Sequence, residues 1–317
     1  MAIPGSSVES ALPAQLRIGT RGSPLALAQA EHVKQRLAAA HGAQAPELDI
    51  VVIKTSGDLI QDRALAEAGG KGLFTKELDS ALERGDIDLA VHSAKDLPTF
   101  LPQGLEISGY LPREDVRDAW ISEKADDPRA LPPGSVVGTA SLRRSAMLLR
   151  LRPDLAISLL RGNVETRLAK LARGEIDATI LAIAGLKRLG LADRATRLLD
   201  AADFIPAVGQ GAIAITARRD DAPVTAALRP ILDSATGVAL ACERALLQVL
   251  DGSCRTPIGG HAWLAGDALH LRAIILRPDG SESFATEISG PHADAINLGE
   301  KAARELLVRA PPGFLAG

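Results

Sequence analysis

The chain is poor in aromatic residues. Its 317 residues hold two Trp, one Tyr and five Phe, 3% in all, too few for the stacking platforms on which single-stranded nucleic acids lie. Cysteine is scarcer still. Cys242 and Cys254 are the whole supply, which excludes a disulfide framework and a four-thiolate zinc site. The six histidines show no metal-ligand spacing. No apolar run approaches the roughly 20 residues that cross a bilayer. Charge of one sign is lacking too: the formal net charge is −3 and the pI is near 6.1. Such a chain is no global polycation, so nucleic acid is not the expected partner and any anion site must be local. The opening "MAIPGSSVESALPAQ" has neither the basic nor the apolar region of a secretory signal. The expectation is a flexible tail over residues 1–15 on a chain that works in a reducing cytoplasm.

What is present is ordinary soluble composition, 46% apolar and 24% charged, on a length that calls for two or three domains. "LRIGT" (16–20) reads as a buried strand and "SPLALAQAEHVKQRLAAA" (23–40) as a helix with Ser23 at its start and Pro24 just inside. "LDIVVIKTS" (48–56) is a second strand. A glycine-rich turn, "AGGKGLF", precedes the helix "TKELDSALERG", and a strand over 87–92 follows. Strands alternating with helices imply a parallel or mixed α/β sheet.

The same order then recurs. "VVGTASLRRSAMLLRL" (136–151) gives strand, Gly-Thr turn, serine and helix; "LAISLL" (155–160) leads into "NVETRLAKLARG"; and "RGEIDATILA" (173–182) echoes "RGDIDLAVHS" (84–93). Three echoes in one order predict two similar lobes, with a cleft between them. We place the first lobe over residues 16–111 and 212–230, returned to by the glycine-rich turn "PAVGQGAIAITA" (206–217), and the second over 112–211. Beyond them the helix 234–250, alternating strands around "PDG" (278–280) and a closing helix near 293–309 predict a small α+β domain over 231–317.

Both Gly-Thr turns set a serine, Ser23 or Ser141, at a helix N-terminus, where free N–H groups favour anions; helix capping alone is the plainer reading of each. Arg21 lies in the first turn, and Arg143 and Arg144 follow the second serine. Arg161, Arg167 and Arg188 gather where second-lobe strands end, while Lys71 sits in the glycine-rich turn of the first lobe and Lys95 ends its last strand. Ligands of open α/β sheets bind at such strand ends, although any one arginine could simply face solvent. Arginine grips a carboxylate through two donors, so the implied ligand is rich in negative charge. Asp96 then stands out as an acid among cations, either paired structurally with Lys95 or placed to stabilise positive charge developing on a substrate. Cys254, in the loop "GSCRTP" beside Arg255, is more accessible than Cys242, which falls on an apolar helix position; an inert loop thiol and a reactive one both fit.

Taken together, "IGTRGSPLALAQA", "GGKGLFTKEL", "DLAVHSAKDLP", "GTASLRR", "LRGNVETRL", "LAIAGLKRLG", "PAVGQGA" and "GSCRTPIG" resemble the porphobilinogen deaminase (hydroxymethylbilane synthase) family from about residue 16 to the C-terminus. The resemblance implies two lobes with mixed sheets like those of type II periplasmic binding proteins, and a small C-terminal domain. It implies a dipyrromethane cofactor carried by Cys254 through a thioether. Four porphobilinogen molecules would be added head to tail, each losing ammonia, before hydrolysis releases hydroxymethylbilane. Asp96 would be the catalytic carboxylate. Lys95, Ser93, Ser141, Arg143 and Arg144 would hold the cofactor, and Arg21, Ser23, Arg161, Arg167 and Arg188 the substrate or pyrrole-chain intermediates, with Lys71, Phe74 and Gln210 nearby. The family also implies a monomer that works without metal, membrane or nucleic acid. The rival reading is a two-lobed solute-binding protein for an organic anion, which would have no use for Cys254.

Overall fold

A computed structural model describes residues 12–59, 72–250 and 257–315. Strand β1 (Gln15–Thr20) turns into helix α1 (Pro24–His41), capped by Ser23, whose hydroxyl accepts from the N–H of Ala26. Pro24 occupies the first helical turn, where its missing N–H is not needed. β2 (Glu47–Val52) returns parallel to β1, and the short α2 (Ser56–Leu59) follows. α3 (Lys76–Arg84) ends at Gly85, whose φ of 74° suits glycine, and the chain enters β3 (Leu89–Ser93) and β4 (Leu105–Tyr110).

It then crosses to a second lobe made of β5 (Asp118–Ser122), β6 (Val136–Gly138), α4 (Leu142–Leu151), β7 (Ala156–Ser158), α5 (Val164–Ala172), β8 (Ala178–Ala182), α6 (Ile183–Arg188) and β9 (Arg197–Leu198). A return crossing brings β10 (Ile213–Arg218) and α7 (Ala222–Leu228) back to the first lobe. Last come α8 (Ser234–Val249), β11 (Ile258–Ala265), β12 (Ala268–Leu276), β13 (Ser283–Pro291) and α9 (Ala295–Arg309).

The two lobes share one plan. Their strand orders are β2-β1-β3-β10-β4 and β7-β6-β8-β5-β9. In each sheet the first three strands are parallel and the fourth, antiparallel strand arrives by a crossing. The repeat extends to single atoms. Asp88 accepts from the N–H of Arg17 at 2.8 Å as β1 begins, and Asp177 accepts from the N–H of Val136 at 2.7 Å as β6 begins. Gly19 and Gly138 each lie under an isoleucine, Ile87 or Ile176, that a Cβ would strike. The α/β class with two mixed-sheet lobes and a small third domain is therefore as expected. Strands β4, β5 and β9 were not foreseen.

Both sheets are apolar on two faces, as helix-covered α/β sheets are. Leu16, Ile18, Val33, Leu37 and Ile215 fill one side of the first lobe. Trp120, Val137 and Ile180 fill one side of the second, and Leu160, Leu181 and Leu186 the other. The third domain packs the antiparallel sheet β11-β12-β13 on α8 and α9 around Leu246, Leu271 and Leu306. That core continues into Ala94 and Leu97 of the first lobe, while Ile274 and Leu276 enter the second-lobe core.

A buried ion pair joins these parts. Arg113, on the outbound crossing, holds Glu243 of α8 at 2.6 and 3.1 Å. The fully buried Glu243 also accepts from the N–H of Gly209 on the return crossing and of Ala262 on β11, both at 2.7 Å.

Candidate active site

β3 runs through the core with Leu89, Ala90, Val91 and His92 all buried, then breaks into a single 3-10 turn over Ala94–Asp96. The break follows from the sequence, because Pro98 denies the backbone a continuing ladder. It swings Lys95 and Asp96 out of the sheet and into the cleft, beside Ser93 at the end of β3. Gly209 permits this on the other side: at φ 76° it lies so close that a Cβ would meet the backbone of Ala94 and Lys95 at 2.9 Å. A side chain at Gly209 would push the Lys95–Asp96 turn out of place.

The cleft between the lobes encloses about 610 Å³. From the first lobe come Arg21, Ser23, Lys54, Phe74, Ser93, Lys95 and Asp96; from the second, Arg144, Arg161, Glu165, Arg167 and Arg188. Among the described residues its acids are thus Asp96 and Glu165, against seven cations. Arg21 lies over the Phe74 ring at 4.1 Å and approaches the Asp96 carboxylate at 4.0 Å. Arg167 is anchored by its Nε donating to the Gly162 carbonyl at 2.9 Å, and Arg188 by donating to Gly211 at 2.6 Å. Asn163 caps α5 by accepting from the N–H of Thr166 at 2.8 Å, which fixes the helix that carries Arg167.

The charged forms along this wall are disfavoured by burial and, after it, by the crowding of like charge. Burial, aided by Arg144, pushes the Lys95 ammonium down to about 8 and the Arg167 guanidinium down to about 10. The chemistry of this donor set fits a polycarboxylate, whose negative charge would relieve both groups.

Not every expected residue faces the cleft. Arg143 and Arg144 are neighbours on α4 and point to different places. Arg144 lines the cleft; Arg143 is buried behind it, donating to Asp118 and to the Ile205 carbonyl, both at 2.7 Å. Asp118 also accepts from Arg144 at 2.9 and 2.7 Å and from Gln210 at 3.1 Å. Gln210 therefore turns away from the cleft, between Gly209 and Gly211, which line it. Ser141 caps α4 through the N–H of Arg144 at 3.4 Å, and Ala140 is the lining residue there. Arg188 closes a helix, α6, rather than a strand. Lys71 and Cys254 lie outside the described residues.

Sequence reasoning missed Asp118, Lys54 and Gln29. Lys54 had a signal in the repeat: it follows β2 as Arg161 follows β7, with Ile53 donating to Thr20 as Leu160 donates to Thr139. Gln29 donates to the Ser93 hydroxyl at 2.9 Å, from the inner face of α1.

Comparison with known proteins bears on the same region. The family described as "Porphobilinogen deaminase, dipyromethane cofactor binding domain" matches residues 16–226, and "Porphobilinogen deaminase, C-terminal domain" matches 238–308. The chain belongs to the porphobilinogen deaminase family. Porphobilinogen deaminases of Nitrobacter hamburgensis and Nitrobacter winogradskyi are 61% and 58% identical to it over 297 residues, 94% of each chain. Among solved structures, the VFT2 domain of Bordetella pertussis BvgS is a looser likeness, 18% identical with a TM-score of 0.41, covering 73% of this chain and 92% of that one.

As a porphobilinogen deaminase, or hydroxymethylbilane synthase, the chain is a transferase of tetrapyrrole biosynthesis, and its lobes form the family's dipyrromethane-binding part. The solute-binding alternative is not favoured. No described helix is long and apolar enough to cross a membrane.

Proposed function

We propose that Asp96 is the catalytic carboxylate of this hydroxymethylbilane synthase, working in a cleft whose cations hold the acetate and propionate arms of porphobilinogen and its products. The observation that carries this reading is the ratio in the cleft: Asp96, within 4.0 Å of Arg21, stands among Lys95, Arg144, Arg161, Arg167 and Arg188. Cys254 is the attachment point of the dipyrromethane. Lys95, Ser93 and Arg144 hold its carboxylates, and Arg143 acts one step back, positioning Arg144 through their shared partner Asp118. Ser141 fixes the start of the helix that carries both arginines. Arg21, Ser23, Arg161, Arg167 and Arg188 bind the incoming unit and the lengthening chain, with Lys71 and Phe74 beside them. The enzyme works as a monomer in the cytoplasm.

When bound, the cofactor contributes a nucleophilic pyrrole carbon. The protein's own part is electrostatic. Loss of ammonia from porphobilinogen leaves positive charge shared with the ring N–H. A fixed carboxylate beside that hydrogen stabilises the charge, and a preorganised group of this kind is worth about 3–4 kcal/mol in the transition state. The guanidinium groups hold the carboxylate arms and so keep the reacting carbon in register; each charge-assisted bond contributes roughly 1.5–3 kcal/mol. Asp96 on its short turn, backed by Gly209, has little freedom to follow a misplaced substrate, which favours one geometry.

Denaturing mass spectrometry tests the assignment. The purified protein should carry the mass of two pyrrole units, and Cys254→Ala should lack it. An active protein without added mass would overturn the role of Cys254.

A further inference from the structure

Behind Asp96 the cleft has a side recess of about 50 Å³. Its polar lining consists of Gln29, His92, Ser93, Ser23, Arg21 and Asp96, and its apolar lining of Leu25, Ala26, Phe74 and Val91. A pyrrole with two carboxylate arms does not fit. Water does: at roughly 10–15 Å³ of such space per molecule, the recess has room for about three to five waters.

Three of the groups around it, Gln29, His92 and Ser93, are neutral donors and acceptors suited to water. Gln29 and Ser93 bond to each other at 2.9 Å, and each retains capacity for a further partner. His92 is 5% exposed, with its Nε2 at 3.0 Å from the Thr216 hydroxyl. Burial and the charge of Arg21 push its imidazole down to about 4, so it is neutral at ordinary pH, with one ring nitrogen a donor and the other an acceptor. Neutral donors and acceptors thus lie against the Asp96 carboxylate and the Arg21 guanidinium beside it. A polar recess of this size with several partners per molecule is where ordered water is found.

We propose that this recess is the water site of the release step: Gln29, His92 and Ser93 hold a water against the Asp96 carboxylate, and that water is consumed when the finished tetrapyrrole is cut free. This rests on the reading of the chain as a hydroxymethylbilane synthase with Asp96 at its centre. Release adds one water across a carbon–carbon bond. The carbon retained by the protein keeps the bonding electron pair and gains a proton. The departing methylene carbon accepts an electron pair from the water oxygen and becomes a hydroxymethyl group. The proton shed by that water goes to Asp96 and replaces the one given to the retained carbon. Elongation consumes no water, so the recess water is drawn on only at release. Gln29 and His92 are positioning residues in this scheme, acting on substrate chemistry through the water.

Two variants test it. Gln29→Leu removes the amide that orients the water, and Ala26→Leu fills the recess with methyl groups while leaving its polar side chains in place. Each is given excess porphobilinogen and followed by rapid-quench ammonia release, by intact mass of the protein and by a high-resolution crystal structure of the recess. The expected result is hydroxymethylbilane release slowed by on the order of tenfold or more relative to ammonia release from the four additions in the same variant. For Ala26→Leu that ammonia release stays near the wild-type rate. Protein carrying four added units should accumulate, and the recess waters should be lost from the structure, with the melting temperature close to wild type. An equal slowing of additions and release, or release unchanged with the recess filled, overturns the proposal. Absence of any pyrrole adduct on the wild type would overturn the functional reading itself and this inference with it.

Discussion

Replacing Asp118 by asparagine keeps the shape of a fully buried side chain and removes its charge. The carboxylate takes hydrogen bonds from Arg143, Arg144 and Gln210 at 2.7–3.1 Å, and the two arginines are themselves 4% and 5% exposed. Deleting one member of a buried pair typically costs about 3–5 kcal/mol, because the partner's charge is left buried without compensation. Here two guanidinium groups lose the same anion. A second route gives the lower end. Burial pushes the Asp118 carboxyl up, but Arg143 and Arg144 outweigh it and hold the group down at about 2 against an ordinary 3.8. At about 1.4 kcal/mol per pKa unit that is roughly 2.5 kcal/mol. Asparagine does worse than a protonated acid, since its amide N–H₂ points a donor at an arginine. The loss should therefore lie between about 2.5 and 5 kcal/mol, a fall in melting temperature of about 5–20 °C at 2–4 °C per kcal/mol.

The sign with pH is fixed. A carboxyl whose folded pKa is below its unfolded value gives stability that is complete above pH 4 or so and is lost as pH falls toward 2. Thermal scans of wild type and Asp118→Asn should thus be far apart at neutral pH and converge in acid. Equal melting temperatures at neutral pH, or a gap that does not narrow below pH 4, would refute the reasoning.

Asp96→Asn should lower turnover by about 10²–10³ with the melting temperature nearly unchanged, measured as ammonia release; a loss under threefold would remove Asp96 from the chemistry. Binding of a simple polycarboxylate such as citrate to protein lacking the cofactor should weaken as pH rises through about 8, where Lys95 loses its proton, with proton uptake on binding seen by calorimetry in buffers of different ionisation heat. Lys95→Gln should bind more weakly at neutral pH and flatten that dependence. For folding alone the folded Lys95 value lies below the ordinary 10.5, so this group costs stability in full below pH 8 and the cost fades between about 8 and 10.5. Glu243→Gln should destabilise by about 3–5 kcal/mol, and a double-mutant cycle with Arg113→Met should give a large coupling between the two sites.

Much of the architecture was legible because the chain repeats itself. Gly85 and Gly174 end equivalent helices, Asp88 and Asp177 cap equivalent strands, and the spacing between them is the same in both lobes. The crossing strands were harder to see. β5 begins "DAW" after the acidic and basic run "REDVR", which reads as a surface loop; Asp118 is buried only because Arg143 and Arg144 come to it from 25 and 26 residues away. Adjacent helical residues point about 100° apart, so composition could gather Arg143 and Arg144 but could not say which one faces the cleft. The turn of Lys95 and Asp96 was legible from Pro98; its backing by Gly209 was not, since that contact spans more than a hundred residues of chain.

The pair of Arg113 and Glu243 has a mechanical consequence. Glu243 grips the outbound strap through Arg113, the return strap through Gly209 and the third domain's first strand through Ala262. Neither strap can pivot without tugging the same carboxylate, and α8, which bears it, ends at Val249, five residues before Cys254. Any displacement of either crossing would thereby load the helix from whose end the chain runs on to Cys254.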